Sequence, residues 1–162
     1  MSNLPSQLIT TRGEFLDALR HAFTLIAAHG SREVWLCSED FAEWPIGERA
    51  VIEHLTRWAS SHRHLTVVAR SFDEVSRRHA RWVEWRRQWS HVVSCRANTE
   101  LEAGAIPSVL LAPGVVSVRL ADAVHYCGRL SHEPSDEVRC RELIDAVLQR
   151  SEEAFPASTT GL

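Results

Sequence analysis

Lysine is absent from this sequence; all 18 basic residues are arginine. A GC-rich coding sequence is sufficient reason for that bias, but its chemical consequences hold regardless. A phosphate-loop lysine, a Schiff-base lysine and a His-x-Lys catalytic pair are all excluded. Cysteine is sparse too: Cys37, Cys95, Cys127 and Cys140 contain no CxxC pair, so zinc-ribbon and thioredoxin-type chemistry lack their signature. No apolar run approaches the roughly 18 residues that span a bilayer. The opening MSNLPSQLITTRGEF lacks the charged-then-apolar layout of a signal peptide. The expectation is a cytoplasmic protein with reduced thiols and no membrane partner. Nor is there an excess of positive charge. The net charge is −3, and polyanion binders are usually basic, so nucleic acid is not expected as a partner.

What is present reads as one α/β domain over residues 1–155 with a frayed tail over 156–162. Thr11-x-x-Glu14 is a capping box that starts a helix, with Phe15, Leu19, Phe23 and Ile26 at helical spacing and Gly30 placed to end it. Glu33–Cys37 is a buried strand, 38–47 a loop and about 48–60 a second helix. Leu65–Ala69 is a second strand. Residues 71–88 read as one long helix, and Val92–Cys95 as a third strand. Two apolar runs, Ile106–Ala112 and Val115–Leu120, flank Pro113-Gly114, the pair that suits a type II turn. Residues 121–130 read as either loop or another strand. Ser135 is placed to cap a last helix reaching about Phe155, with Val138, Leu143, Ile144, Val147 and Leu148 on its buried side. Helix-length crossovers make the first three strands parallel, and the hairpin adds antiparallel ones. The predicted fold is therefore a mixed, mostly parallel sheet with helices on both faces.

This order of elements resembles one half of a phospholipase D superfamily domain from about Glu33 to Phe155. A flavodoxin-like or Rossmann-like domain begins with the same pattern and is the alternative. The resemblance lies in topology and element lengths, not in residues. Such families carry HxKxxxxD at the hairpin and a Gly-Ser pair after its second strand, and two halves in one chain or a dimer build the site. Here Ile106 and Ser108 stand where the His and Lys would be, Pro113 at the Asp, and Leu120 and Ala121 at the Gly-Ser pair. The reaction needs a His nucleophile on phosphorus and a Lys that neutralises the phosphoryl oxygens. The resemblance thus implies a phospholipase D-like scaffold, of a type found among uncharacterised bacterial domains, that is not a His-Lys phosphodiesterase. It also leaves room for a homodimer.

Ligand sites of parallel sheets lie beyond the carboxyl ends of the strands. Those ends carry Ser38, Glu39 and Asp40, then Arg70 and Ser71, then Cys95 and Arg96. The functional reading is a small anionic ligand held by the arginines. The structural reading, ion pairs among the same groups, takes preference because loop acids and arginines commonly pair. Cys95 beside Arg96 is a nucleophile candidate without a visible base, and buried inert cysteine is the preferred reading. The 71–88 helix interleaves Trp82, Trp85 and Trp89 with arginines, a composition that can clamp single-stranded nucleic acid. The tryptophans share one stripe, however, which favours core packing, with a subunit interface as a further use. His62-x-His64 suits a helix end, and His125-x-Cys127 with Asp122 lacks a fourth ligand for zinc. No metal, cofactor or catalytic residue is expected.

Three functions follow. The first is a non-catalytic binding or interaction domain. The second is an enzyme of unassigned reaction using Asp40, Arg70, Cys95 and Arg96. The third is single-stranded nucleic-acid binding through the Trp/Arg helix.

Overall fold

Thr11 begins the first helix as its spacing predicts. Its hydroxyl accepts the Glu14 amide at 3.1 Å, while the Glu14 carboxylate accepts the Thr10 amide at 2.7 Å. That reciprocal pairing satisfies donors the helix start leaves open. Helix α1 runs Arg12–His29 and ends at Gly30, whose left-handed φ of 72° closes it with a bond to the Ile26 carbonyl. In this computed structural model, residues 6–60 and 62–156 are described; apart from Pro156, the tail expected to fray lies outside them.

Strands β1 (Gln7–Ile9), β2 (Glu33–Cys37), β3 (His64–Ala69), β4 (Val93–Ala97), β5 (Ser108–Ala112), β6 (Val116–Asp122), β7 (Cys127–Ser131) and β8 (Glu152–Glu153) join one sheet in the order β1-β7-β6-β5-β2-β3-β4-β8. The sheet is mixed, but its balance is the reverse of the expected one: only the β2–β3 and β3–β4 ladders are parallel. The expectation undercounted the antiparallel part because β1 and β8 are too short to show a period, and β7 lay in the ambiguous stretch. The β5–β6 turn is type II, with Gly114 at φ 78° and the Val115 amide bonded to the Ala112 carbonyl at 2.9 Å.

The parallel strands step in one direction, β2 to β3 to β4. Right-handed crossovers therefore land on one face. Helices α1, α2 (Arg49–Trp58), α3 (Asp73–Arg78) and α4 (Ala80–Gln88) share one core with Val34, Leu36, Leu65 and Val67. Helix α5 (Pro134–Leu148) alone packs on the other face, against Cys37, Val68, Val109 and Leu111. Helices do flank both faces, but unequally. A flavodoxin-like or Rossmann-like sheet would reverse direction at a switch point and spread its crossovers over both faces; this one does not.

Two predicted helices differ in extent. The stretch read as one helix over 71–88 breaks at His79, where ψ is 55°. The cause is tertiary. His79 Nε2 lies 2.8 Å from the Phe41 carbonyl, and Gly47 leaves room for no Cβ beside the ring. The 38–47 loop behind that contact is itself core: Phe41, Trp44 and Ile46 are buried, and Phe41 meets Trp44 edge to face at 4.9 Å. The last helix starts at Pro134, not Ser135, and stops at Leu148 rather than near Phe155. Beyond it the chain pairs as β8 with the edge of β4, and Phe155 stacks on Phe72. Val138, placed on the buried side, is 59% exposed because the fully buried side of α5 is formed by Cys140, Ile144 and Val147, with Leu143 and Leu148 partly buried beside them.

Asn98 ties these parts together. It is fully buried; its Oδ1 accepts the Glu100 and Leu101 amides and its Nδ2 donates to the Val147 carbonyl at 2.9 Å. Asn98→Ala orphans buried groups on both the loop and α5, so it is expected to lower unfolding free energy by about 2–3 kcal/mol. Urea denaturation checks this, and a loss below about 0.5 kcal/mol would show that water replaces the amide.

Candidate functional site

The carboxyl ends of the parallel strands bring Ser38, Glu39, Asp40, Arg70 and Ser71 to one edge, as expected, but each is already engaged. Ser38 Oγ accepts the Phe41 amide at 3.1 Å, Asp40 Oδ1 the Ala42 amide at 2.9 Å, and Ser71 Oγ the Asp73 amide at 3.1 Å. These are turn-closing bonds of the kind short polar side chains make to local backbone. Glu39 spans the edge, holding Arg70 Nε at 2.9 Å through Oε2 and the Gly104 amide at 3.2 Å through Oε1. The ion pair preferred as the structural reading is thus present.

Cys95 and Arg96 part company, because successive strand residues face opposite sides. Cys95 sits in the core with α1–α4, and burial pushes its thiol up to about 11 although the Arg86 guanidinium opposes the shift. The cation facing the thiol is therefore Arg86, not Arg96. Arg96 turns to the α5 side and grips Ser151, Nε to Oγ and a second nitrogen to the carbonyl, both at 2.7 Å. That grip holds the bend that ends α5. Asp40, Arg70, Cys95 and Arg96 do not converge on a common point.

The tryptophans of α4 resolve into core. Trp82 is fully buried, Trp85 nearly so, and Trp89 is half-covered beside His91. Arg77 and Arg78 pair with Glu74, and Arg87 with Glu84. The Trp82 and Trp85 rings that base stacking would need are buried in the core. Among the described residues no three His, Cys, Asp or Glu side chains converge to hold a metal. His125 and Asp122 pair at 2.8 Å on an exposed turn.

A different cluster stands at the opposite edge, where β2 and β3 begin. Arg32, Arg63, His62, His64 and Arg141 line a cleft of about 550 Å³ floored by Ser31 and Pro113, with Glu33 its acid. Arg63 lies over Gly30 at the end of α1, where the helix dipole favours a cation, and donates to the Ser31 carbonyl. Arg141, from α5, stacks over the Trp35 ring at 4.2 Å. Neither Arg32 nor Arg141 has a carboxylate partner among the described residues, unlike Arg77, Arg78 and Arg87 of α3 and α4. The sequence signal was the His62-Arg63-His64 run, which reads by itself as a helix end. Arg32 and Arg141 are far from it in the chain.

No protein-family model and no curated protein matches this sequence. Its backbone, by contrast, superposes on Nuc, a phospholipase D family member from Salmonella typhimurium, with a TM-score of 0.62 over 93% of this chain and 97% of that one, at 9% identity. The fold is phospholipase D-like. A second structural match is TrmBL2, an archaeal chromatin protein whose structure shows a novel mode of DNA binding. The TM-score is 0.64 at 10% identity, over 95% of this chain. The chain spans 55% of TrmBL2's length.

The TrmBL2 likeness corrects the expectation that nucleic acid is not a partner. Net charge was the wrong quantity. It sums over the whole surface, whereas phosphate recognition depends on the local field, which is screened beyond about 10 Å in ordinary salt. Acids paired on α3 and α4 contribute to the −3 without touching the basic cleft. Among the described residues no helix is long and apolar enough to cross a membrane.

Proposed function

We propose that this chain is a non-catalytic binding module on a phospholipase D-like scaffold, and that it engages a nucleic-acid backbone through the Arg32–Arg63–Arg141 cleft. The carrying observation is that cleft: three arginines and two histidines against a single glutamate, concentrated at one edge of a chain that is acidic overall. Ile106 at the family's histidine position supports the non-catalytic half of the reading, since it is packed in the apolar cluster with Cys37, Val68 and Ile144. The DNA-binding neighbour supports the choice of ligand. A cytoplasmic setting, where such a ligand is at hand, suits the proposal. Contacts of this kind position a backbone and read no sequence.

Fluorescence anisotropy with short labelled single-stranded and duplex DNA tests it. Binding in the micromolar range at low salt is expected, weakening linearly on a log–log salt plot. The Arg32→Glu/Arg141→Glu variant should bind about tenfold more weakly, with the salt slope reduced by about two. Absence of binding to either DNA, or a folded double variant with unchanged affinity and slope, overturns the proposal.

A further inference from the structure

Helix α5 leaves part of its sheet face open. Beyond it β6, β7 and β1 border a cavity of about 300 Å³. Strand alternation aims Ser117, Arg119 and Ala121 of β6 at this space, and Cys127, Arg129 and Ser131 of β7 beside them. Arg119 and Arg129 are register partners on adjacent antiparallel strands. Their guanidinium stems thus rise side by side from one face. Like charges directly opposite each other destabilise a sheet, so this placement needs a compensating anion.

Asp136 supplies it for one of the two. Its Oδ1 holds Arg129 at 3.2 Å, and its Oδ2 is occupied by the Ser131 hydroxyl at 2.5 Å. Arg119 is half-buried and makes no hydrogen bond or ion pair among the described residues. The rest of the wall is small or apolar: Ala121, Gly128, Cys140, and Leu8, which is left 76% exposed at the rim.

We propose that this cavity binds a small organic carboxylate, with Arg119 taking the carboxylate and the apolar body lying against Leu8, Ala121 and Cys140. The charge count selects the class. Two arginines against one aspartate leave a single positive charge uncompensated, which matches a monoanion. A phosphate dianion would face Asp136. The planar Arg119 fork suits a carboxylate held through two parallel bonds, and the apolar wall rewards a ligand with a hydrocarbon body.

The test is a nitrogen-15 NMR titration of the full chain with benzoate, and separately with inorganic phosphate. Benzoate should saturably shift the amides of Arg119, Gly128 and Ser131 in the millimolar range while leaving those of Arg32 and Arg63 in place. Arg119→Gln should weaken benzoate at least about tenfold and keep the melting temperature, since it removes the like-charge apposition. Ala121→Leu, which fills the cavity without touching a charge, should also abolish binding. The inference falls if Arg119→Gln binds benzoate as the parent does, if the shifts scatter over the surface, or if phosphate saturates the site and benzoate does not. Since the DNA cleft uses other residues, failure here leaves that proposal standing.

Discussion

Trp82→Ala is expected to remove about 3–5 kcal/mol of unfolding free energy, a large share of the roughly 5–15 kcal/mol available to a domain of this kind. The indole is 0% exposed, lies between Trp85 and Phe155 at 6.4 and 6.3 Å, and joins α4 to the segment after β8. Truncation leaves a cavity that helix and strand close only in part. Trp82→Phe should behave differently. Among the described residues the Trp82 Nε1 has no hydrogen-bond partner, so removing it relieves an unpaired buried donor and offsets much of the lost volume; the net loss should stay below about 1.5 kcal/mol. Trp58 supplies the contrast, since its indole nitrogen donates to the Ser31 carbonyl. Trp58→Phe leaves that carbonyl only the longer bond from Arg63 and should cost more than Trp82→Phe. Urea titrations of the three variants decide the matter. A Trp82→Phe variant as damaged as Trp82→Ala would show that the indole N–H is paired after all.

Gly128→Ala carries the second large effect, expected at about 3 kcal/mol or more. A Cβ there would lie 2.0 Å from the Arg119 carbonyl oxygen and 2.7 Å from the Leu120 Cα. Both are backbone atoms, so no rotamer change relieves the clash, and β6 and β7 must separate locally. This close approach sits beside the register shift between Leu120 and Asp122, where a glycine in a strand commonly marks a bulge. Amide hydrogen exchange should show lost protection in β6, β7 and β1, with the parallel strands β2–β4 little changed. Because Arg119 and Arg129 owe their apposition to this ladder, benzoate binding should be lost as well. A variant within about 0.5 kcal/mol of the parent, with protection intact, would mean the strands can part here at little cost.

The sequence by itself determined the elements whose causes are local. The α1 caps, β2 and the Pro113-Gly114 turn all depend on contacts within a few residues, and periodicity or turn chemistry reveals such contacts directly. It also determined, through the lack of lysine, that a His-Lys phosphodiesterase mechanism is unavailable. Strand order, the break at His79 and the early stop of α5 were decided only by tertiary contacts. His79 meets Phe41 across 38 residues and Arg96 grips Ser151 across 55, and no local pattern encodes such pairs.

The same distinction governs the sites. The sequence assembled Ser38, Asp40, Arg70, Cys95 and Arg96 by a rule about strand ends, but strand alternation sent Cys95 and Arg96 to opposite faces and local backbone donors took the hydroxyls and Asp40. The two basic features that remain join residues distant in the chain. Arg32, Arg63 and Arg141 meet at the edge where β2 and β3 begin, and Arg119 meets Arg129 across a ladder. Only pairing register and helix docking could bring those charges together, because electrostatic proximity is a property of the folded surface and not of chain order.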